Sequence, residues 1–171
     1  MHATKGNGKL AKRIGVFDIL VLPLICRGAA KCLWFCFALK MQNTHLGVLL
    51  RRLENLEATL QPDFVDKMVQ WIDNSGAEVL SPHHAGDFWA QAYVHVWAQI
   101  ARRRPHKQFS CYTKSLDLDL TELTGLPNWI VIKSFGGKFD NLIDVTKDNY
   151  SRIIQDPIEA KPGEKGQCIA E

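Results

Sequence analysis

The stretch Val16-Phe17-Asp18-Ile19-Leu20-Val21-Leu22 is apolar and rich in β-branched residues, and Pro23 follows it directly. This pattern predicts a buried strand that ends at the proline. Three cysteines lie close together behind the strand, at Cys26, Cys32 and Cys36. A strand followed by a thiol-bearing loop and a helix is how a parallel α/β protein presents a metal or a cluster at the carboxyl end of its sheet.

The same alternation of strand and helix continues along the chain. Strands are predicted at 78–81, 108–112 and 129–132, and helical patterns cover 44–74, 88–103 and about 116–123. This order predicts an α/β fold with a mostly parallel sheet built from βα units, either a partial barrel or an open sheet, and with helices packed on it.

The pattern over 44–74 divides into two helices at Gln61-Pro62-Asp63. Its first half has leucines at i+3 and i+4 spacing, which predicts a core-facing stripe: Leu46, Leu49, Leu50, Leu53, Leu56 and Leu60. Its second half has a similar set, also predicted to face the core: Phe64, Val65, Met68, Val69 and Ile72.

Length and composition indicate one domain. The chain has 171 residues, 46% of them hydrophobic, and a net charge of +3, which fits a globular core and gives no sign of disorder. We expect a flexible basic lead-in at 1–13, an α/β domain at 14–145 and a polar C-terminal tail at 146–171.

The basic amino terminus and the apolar residues 16–39 superficially resemble a signal or membrane segment. Asp18, Pro23, Arg27 and Lys31 interrupt that run, so we expect a cytoplasmic protein with no membrane segment. Five cysteines are an odd number, which favours thiolate ligation or burial over a disulfide framework.

Four polar clusters follow directly after predicted strands. The first is the thiol loop, residues 26–36; the others are His83-His84-Ala85-Gly86-Asp87, Thr113-Lys114-Ser115 and Ser134-Phe135-Gly136-Gly137. Because the carboxyl ends of parallel strands meet at one edge of a sheet, these clusters are predicted to converge on a single site.

The cysteines have two interpretations. Cys26, Cys32 and Cys36 suit three corners of an iron–sulfur cluster, or zinc with a fourth ligand from His83, His84 or Cys168. Alternatively, Cys32 and Cys36 are small buried apolar residues. A helix beginning near Ala29 would put both of these on one face.

The second loop has its own alternatives. Either histidine is a ligand or proton carrier, or a surface residue of a turn. Asp87 is either the N-cap of a helix starting at Phe88 or a carboxylate aimed into the shared site, and Gly86 would let a ligand approach the backbone.

Each of the other two loops also has two interpretations. Thr113, Lys114 and Ser115 either bind a carboxylate or phosphate at the start of the following helix, or Ser115 merely caps that helix. Gly136 and Gly137 either admit a ligand or form a turn.

Two basic runs offer a different partner. Lys5, Lys9, Lys12 and Arg13 lie near the amino terminus, and Arg102-Arg103-Arg104-Pro105-His106-Lys107 forms the second run. Both are candidates for phosphate contacts; the alternative is a solvated tail and the charged end of a helix.

These loops, in this order, resemble the gene-product-88 family of phages and plasmids, which is functionally uncharacterised. The resemblance covers most of the chain and rests on an ordered set: Gly6-Asn7-Gly8-Lys9-Leu10, the three cysteines, Gly86-Asp87-Phe88, Tyr112-Thr113-Lys114-Ser115 and Leu126-Pro127-Asn128.

The chain departs from the family pattern at several positions. Arg27 stands where members usually have proline, and Phe37 where they have tyrosine. His83-His84-Ala85 replaces a histidine, aspartate, serine pattern, and members tend to continue beyond the position of Cys168 into a further cysteine-rich segment.

The resemblance also implies an architectural kinship with radical S-adenosylmethionine proteins, although the triad here is not their usual Cys-x3-Cys-x2-Cys. By that analogy the triad holds the cluster, and the Gly86-Asp87 loop binds the amino group of S-adenosylmethionine.

Together these observations predict a mobile-element protein that binds an iron–sulfur cluster or another metal through the cysteine triad. A small cofactor or substrate is predicted at Gly86, Asp87, Thr113, Lys114, Ser115, Gly136 and Gly137. The alternative is a non-catalytic factor that binds a protein, or nucleic acid through Arg102, Arg103, Arg104 and the N-terminal lysines. A hydrolytic nuclease is a third interpretation, but no second carboxylate is evident.

Overall fold

A computed structural model describes residues 1–6, 13–154 and 167–168 of the chain. Its main element is a six-stranded sheet in which the spatial order of the strands is their order in the sequence. The strands are β1 (Thr4–Lys5), β2 (Ile14–Phe17), β3 (Val79–Pro82), β4 (Gln108–Thr113), β5 (Trp129–Ser134) and β6 (Tyr150–Ser151).

The sheet is open and mostly parallel. Only β1 and β2 pair antiparallel, and every other neighbouring pair is parallel. Two further short strands, β7 (Ile153–Ile154) and β8 (Gln167–Cys168), pair with each other. The predicted α/β fold is therefore confirmed, in its open-sheet form.

The helices come between the strands. They are α1 (Phe37–Thr44), α2 (Leu46–Thr59), α3 (Phe64–Ser75), α4 (Gln91–Arg103) and α5 (Thr121–Thr124), with 3-10 helices at Lys31–Phe35 and Asp140–Leu142. Among the described residues no helix is long and apolar enough to cross a membrane.

The core is built mainly from α3, α4 and the strands. Phe64, Met68 and Ile72 of α3 are buried, as the sequence predicts. The indole of Trp97 from α4 lies 6.0 Å from the ring of Phe17 and 6.3 Å from that of Phe64. This aromatic cluster lies directly behind the carboxyl end of β2.

The strand predicted at 16–22 is shorter than expected and ends at Phe17. Beyond it, the backbone N–H and C=O of Val21 both bond the side-chain amide of Gln42, at 2.9 and 3.0 Å. The N–H of Ile19 donates to the carbonyl of Ala85. The chain stays buried here, but a side chain and a loop take the hydrogen bonds that a neighbouring strand would supply.

The α2 leucine stripe is the largest disagreement with the sequence-based prediction. Leu46, Leu50, Leu53 and Leu60 are exposed, and the buried side chains include Arg52, Asn55 and Thr59.

The reason is that the polar side of α2 completes the hydrogen bonds of the segment after β2. The Asn55 amide donates to the Asp18 carbonyl at 2.8 Å. The Arg52 guanidinium donates to the Ala38 carbonyl at 2.6 Å and lies 4.0 Å from the Asp18 carboxylate. Buried backbone groups need such partners, which an apolar stripe does not supply.

Candidate functional site

A cavity of about 250 Å³ opens at the carboxyl ends of the parallel strands. Residues at or after the carboxyl ends of β2, β3, β4 and β5 all contribute to its lining, as the sequence predicts for a shared edge. Its polar lining includes Cys26, Cys32, Cys36, Asp87, Lys114 and Ser134. His83, His84, Gly86 and Thr113 also line it.

No single helix carries both Cys32 and Cys36 of the thiol loop. A 3-10 helix covers Lys31–Phe35, and Cys36 has an extended backbone that separates it from α1. The prediction that Cys32 and Cys36 share one helical face is therefore wrong. Cys36 instead caps α1, since its Sγ accepts the Leu39 N–H at 3.4 Å. All three thiols are free and half-buried.

Cys26 is held as a neutral thiol. Burial, the negative charge of Asp87 and the neighbouring Cys36 raise its pKa to about 12. A cation in the cavity would offset the cost of forming the thiolate, because bound metal ions favour deprotonation of their cysteine ligands.

Asp87 joins two of the loops at the cavity. Its carboxylate accepts the Thr113 hydroxyl at 2.7 Å, the Lys114 N–H at 2.9 Å and the Phe88 N–H at 2.7 Å. Burial raises the pKa of Asp87, and these three hydrogen bonds lower it. The predicted N-cap role is wrong, since α4 begins at Gln91 and Ala90 precedes it.

The two histidines have different surroundings. His83 is buried, has a φ of 66°, and places its Nε2 3.1 Å from the Tyr93 hydroxyl. Burial and the neighbouring His84 lower the pKa of His83 to about 3. It is thus neither a surface histidine nor a proton carrier near neutral pH. His84 Nε2 lies 2.9 Å from the Ser81 hydroxyl.

His83 is expected to make the protein less stable in mild acid. Its folded pKa lies below the ordinary value of about 6.5, so the unfolded chain binds the extra proton as the pH falls. The contribution of the neutral His83 to the free energy of unfolding is fully present above about pH 6.5. Below that pH it falls by roughly 1.4 kcal/mol per pH unit.

Denaturant titrations of wild type and His83→Gln would measure this effect. The raised pKa values of Asp18 and Asp87 act in the opposite sense, so the comparison must be between the two proteins. From about pH 7 to about pH 5 we expect wild type to lose about 2 kcal/mol more than the variant. Parallel pH profiles would contradict the burial of a neutral His83.

Lys114 is the cation of the cavity. Its Nζ donates to the Ser134 hydroxyl, and no carboxylate of the described residues lies within ion-pair distance of it. No helix begins directly after Ser115, since α5 begins only at Thr121. The predicted helix-start site and the capping by Ser115 are therefore both wrong. Ser115 is buried beneath the loop, outside the cavity lining.

The three predicted glycines have different roles. A Cβ on Gly86, whose φ is 84°, would lie 2.3 Å from Cγ1 of Ile19. The N–H groups of Gly136 and Gly137 both donate to the Asp140 carboxylate at 2.9 Å. Gly136 and Gly137 therefore form a turn, and their N–H groups point to Asp140 instead of the cavity.

Three aromatic residues of the cavity lining were not predicted as site residues, namely Phe35, Phe37 and Tyr112. Ser134 belongs to the fourth predicted cluster and supplies the hydroxyl beside Lys114, whereas the sequence favours Gly136 and Gly137 of that cluster as the ligand contacts.

The three thiols line the cavity without converging on one point. Within residues 1–6, 13–154 and 167–168, no three His, Cys, Asp or Glu side chains lie close enough to hold one metal ion. The side chain of Cys168, a predicted fourth ligand, lies outside what the structure describes.

The second basic run is largely neutralised. Arg102 lies 3.5 Å from Glu122 and Arg103 lies 2.6 Å from Asp66, while Arg104 pairs with Asp73. Lys9 and Lys12 of the first run lie outside the described residues.

The fold and the cavity define the class of this protein: an open, mostly parallel α/β protein with a thiol-lined cavity at the carboxyl end of its sheet. The chain belongs to the gene product 88 family, whose model matches residues 3–167. The predicted family is thus confirmed, and with it the phage-type character of the chain.

The other comparisons add no relatives. No curated protein and no solved structure matches the chain. The predicted kinship with radical S-adenosylmethionine proteins and the plasmid origin gain no support from these searches and stay predictions.

Proposed function

We propose that this phage-type protein binds a thiophilic metal ion, or an iron–sulfur cluster, through Cys26, Cys32 and Cys36. The observation that carries the proposal is that three free cysteines line one cavity at the carboxyl end of a parallel sheet. Soft thiolate ligands select zinc, copper(I) and iron–sulfur clusters over hard cations.

Binding on this proposal draws the three sulfur atoms together. Cys32 lies in the 3-10 helix Lys31–Phe35, and Cys36 is the extended residue between that helix and α1. Rotation at Cys36 therefore moves one thiol relative to the other without unwinding a helix. Asp87 supplies a nearby carboxylate that stabilises added positive charge in the cavity.

Lys114 and Ser134 give the cavity a second function, as a site for an anionic group of a small ligand. The Lys114 ammonium has only the Ser134 hydroxyl as a partner for its side chain in the described part of the chain. A carboxylate or phosphate would displace neither an ion pair nor a backbone contact when it binds there.

S-adenosylmethionine and nucleic acid are not included in this proposal. Both carboxylate oxygens of Asp87 already accept hydrogen bonds from the protein and the side chain is buried, which disfavours a further bond from an amino group. Each arginine of the second basic run faces a carboxylate, which reduces its attraction for phosphate.

Metal analysis of protein expressed and purified without oxygen tests the proposal. We expect iron with sulfide, or zinc, near one site per chain, and loss of nearly all of it in the triple variant Cys26→Ala, Cys32→Ala, Cys36→Ala. Cys111→Ala is the matched control, because Cys111 is free but buried beside Trp129, away from the cavity.

Circular dichroism must show that each variant is folded. Folded wild-type protein without metal would overturn the proposal. So would a triple variant that retains the metal of the wild type.

A further inference from the structure

Four aromatic side chains at the opening of the thiol-lined cavity are exposed, although large rings are usually buried. Trp34, Phe35, Phe37 and Tyr112 expose 92%, 45%, 65% and 42% of their surface. Phe35, Phe37 and Tyr112 line the cavity, and Trp34 precedes Phe35 in the 3-10 helix. These four residues are called the aromatic mouth below. Exposed apolar groups that cluster in this way mark an interaction site.

The rings of the aromatic mouth are open to stacking by a ligand. In the part of the chain that the structure describes, none of the four packs against another aromatic ring. In the core, by contrast, the rings of Phe109 and Trp129 stack on each other at 5.0 Å. A planar group can therefore stack on the aromatic mouth without displacing an internal ring contact.

The segment that carries three of the rings is basic. Between Asp18 and Glu54 the sequence has no acidic residue and five lysines and arginines. Lys31 and Lys40 of this segment are exposed, and neither forms an ion pair with another described residue. Lys40 comes three residues after Phe37 in α1, so the two lie on the same exposed side of the helix. This surface favours an anionic partner that has planar groups.

A further cation lies inside the opening. Lys114 directly follows β4, two positions after Tyr112, and both residues line the cavity. At about 3.3 Å per residue their Cα atoms are at most about 7 Å apart. A nucleotide carries its phosphate and its planar base at a comparable separation. A phosphate held by Lys114 and Ser134 therefore leaves the attached base within reach of the Tyr112 ring.

We infer that the aromatic mouth binds single-stranded nucleic acid, with bases stacked on its rings and phosphates beside Lys40 and Lys114. Exposed rings flanked by cations are how proteins bind single strands without reading their sequence. A duplex keeps its bases stacked inside and cannot offer them to the rings. The inference rests on the anion site at Lys114 and Ser134 that the proposed function includes, and it does not depend on a bound metal.

A membrane surface fits the same observations less well. Phe35 and Phe37 come from the segment after β2 and Tyr112 comes from β4, and all three line one concave opening with Lys114 in it. A bilayer takes up side chains that protrude from one side of a protein. A flexible single strand, in contrast, can place one phosphate in the cavity while the neighbouring bases stay on the rings.

Fluorescence anisotropy of a labelled thymidine oligonucleotide of about 12 nucleotides tests the inference. We expect the single strand to bind at least about tenfold more tightly than a duplex of the same length. Trp34→Ala and Phe37→Ala are each expected to weaken binding by about fivefold to 100-fold, because each removes one stacking platform. Leu60→Ala is the matched control, since Leu60 is 63% exposed at the end of α2 and has no ring.

Salt dependence separates stacking from charge. Lys40→Gln and Lys114→Met each remove one cation, and each is expected to reduce the slope of log affinity against log salt by about 0.7. Trp34→Ala is expected to weaken binding and leave this slope unchanged, and Trp34→Phe, which keeps a ring, should retain most of the affinity. Circular dichroism checks that every variant is folded.

Equal binding of single strand and duplex would overturn the inference, as would ring variants that bind like wild type. Binding to vesicles of phosphatidylcholine and phosphatidylserine without binding to the oligonucleotide would also overturn it, and would assign the aromatic mouth to a membrane. If Lys114→Met alone keeps the wild-type slope, the anion site of the proposed function is wrong and the stacking surface stands. Metal content, measured on the same samples, reports separately on the thiol site.

Discussion

Gly28→Ala is expected to lower the free energy of unfolding by roughly 4 kcal/mol. A Cβ at Gly28 would lie 1.7 Å from the carbonyl oxygen of Lys114 and 2.3 Å from its carbonyl carbon. Both are backbone atoms, so no side chain can rotate away. Either the thiol loop or the loop after β4 must move.

The contact belongs to a larger arrangement of three loops. A Cβ on Gly137 would lie 2.7 Å from the Gly28 carbonyl oxygen, and that oxygen accepts the Lys138 N–H at 2.8 Å. The loops after β2, β4 and β5 therefore pack backbone against backbone. We expect Gly28→Ala to separate them, and to weaken the proposed metal binding together with stability.

Denaturant titration measures the effect, and Gly47→Ala serves as the control. Gly47 lies in α2 and a Cβ there would meet nothing within 4 Å, so alanine should change stability little or raise it by up to about 1 kcal/mol. A Gly28→Ala protein as stable as wild type would show that the two loops are not in contact.

Asp87→Ala is expected to cost about 3 kcal/mol of unfolding free energy. The substitution leaves the Thr113 hydroxyl and the N–H groups of Phe88 and Lys114 without their acceptor in a buried site. The unpaired donors set the size of this loss and the charge does not, because burial is the larger influence on the pKa of Asp87 and raises it, while the hydrogen bonds offset that rise only in part.

Two further variants separate the hydrogen bonds from the charge. Asp87→Asn keeps one acceptor oxygen and should lose about half as much stability. Asp66→Ala removes an exposed carboxylate that pairs with Arg103 and should cost less than about 1 kcal/mol. Equal losses in Asp87→Ala and Asp66→Ala would contradict the buried bridge.

The sequence predicts helices well where the apolar side is also the buried side. Phe64, Met68 and Ile72 of α3 follow this rule. In α2 the same periodicity fails, because Asn55 and Arg52 are needed inside to bond the backbone of residues 18 and 38. A need of this kind depends on a distant segment, so no local pattern reveals it.

The candidate site, like the helices, could be predicted from the sequence only in part. Its location follows from the strand ends alone, and the structure does bring residues of all four loops to one cavity. The role of Asp87 depends on Thr113 and Lys114, which are more than twenty residues away in the sequence. Local pattern favours an N-cap there, whereas the tertiary contacts bury the carboxylate as a bridge.

The strand order of the sheet affects how the nascent chain can fold during synthesis. Because β1 to β6 lie side by side in the order in which they are synthesised, each new strand is added to the edge left by the one before it. No strand has to insert between two that are already paired. Cys26, Cys32 and Cys36 emerge from the ribosome before the other polar residues of the cavity and Ser134 emerges last, so the cavity closes around a thiol loop made about a hundred residues earlier.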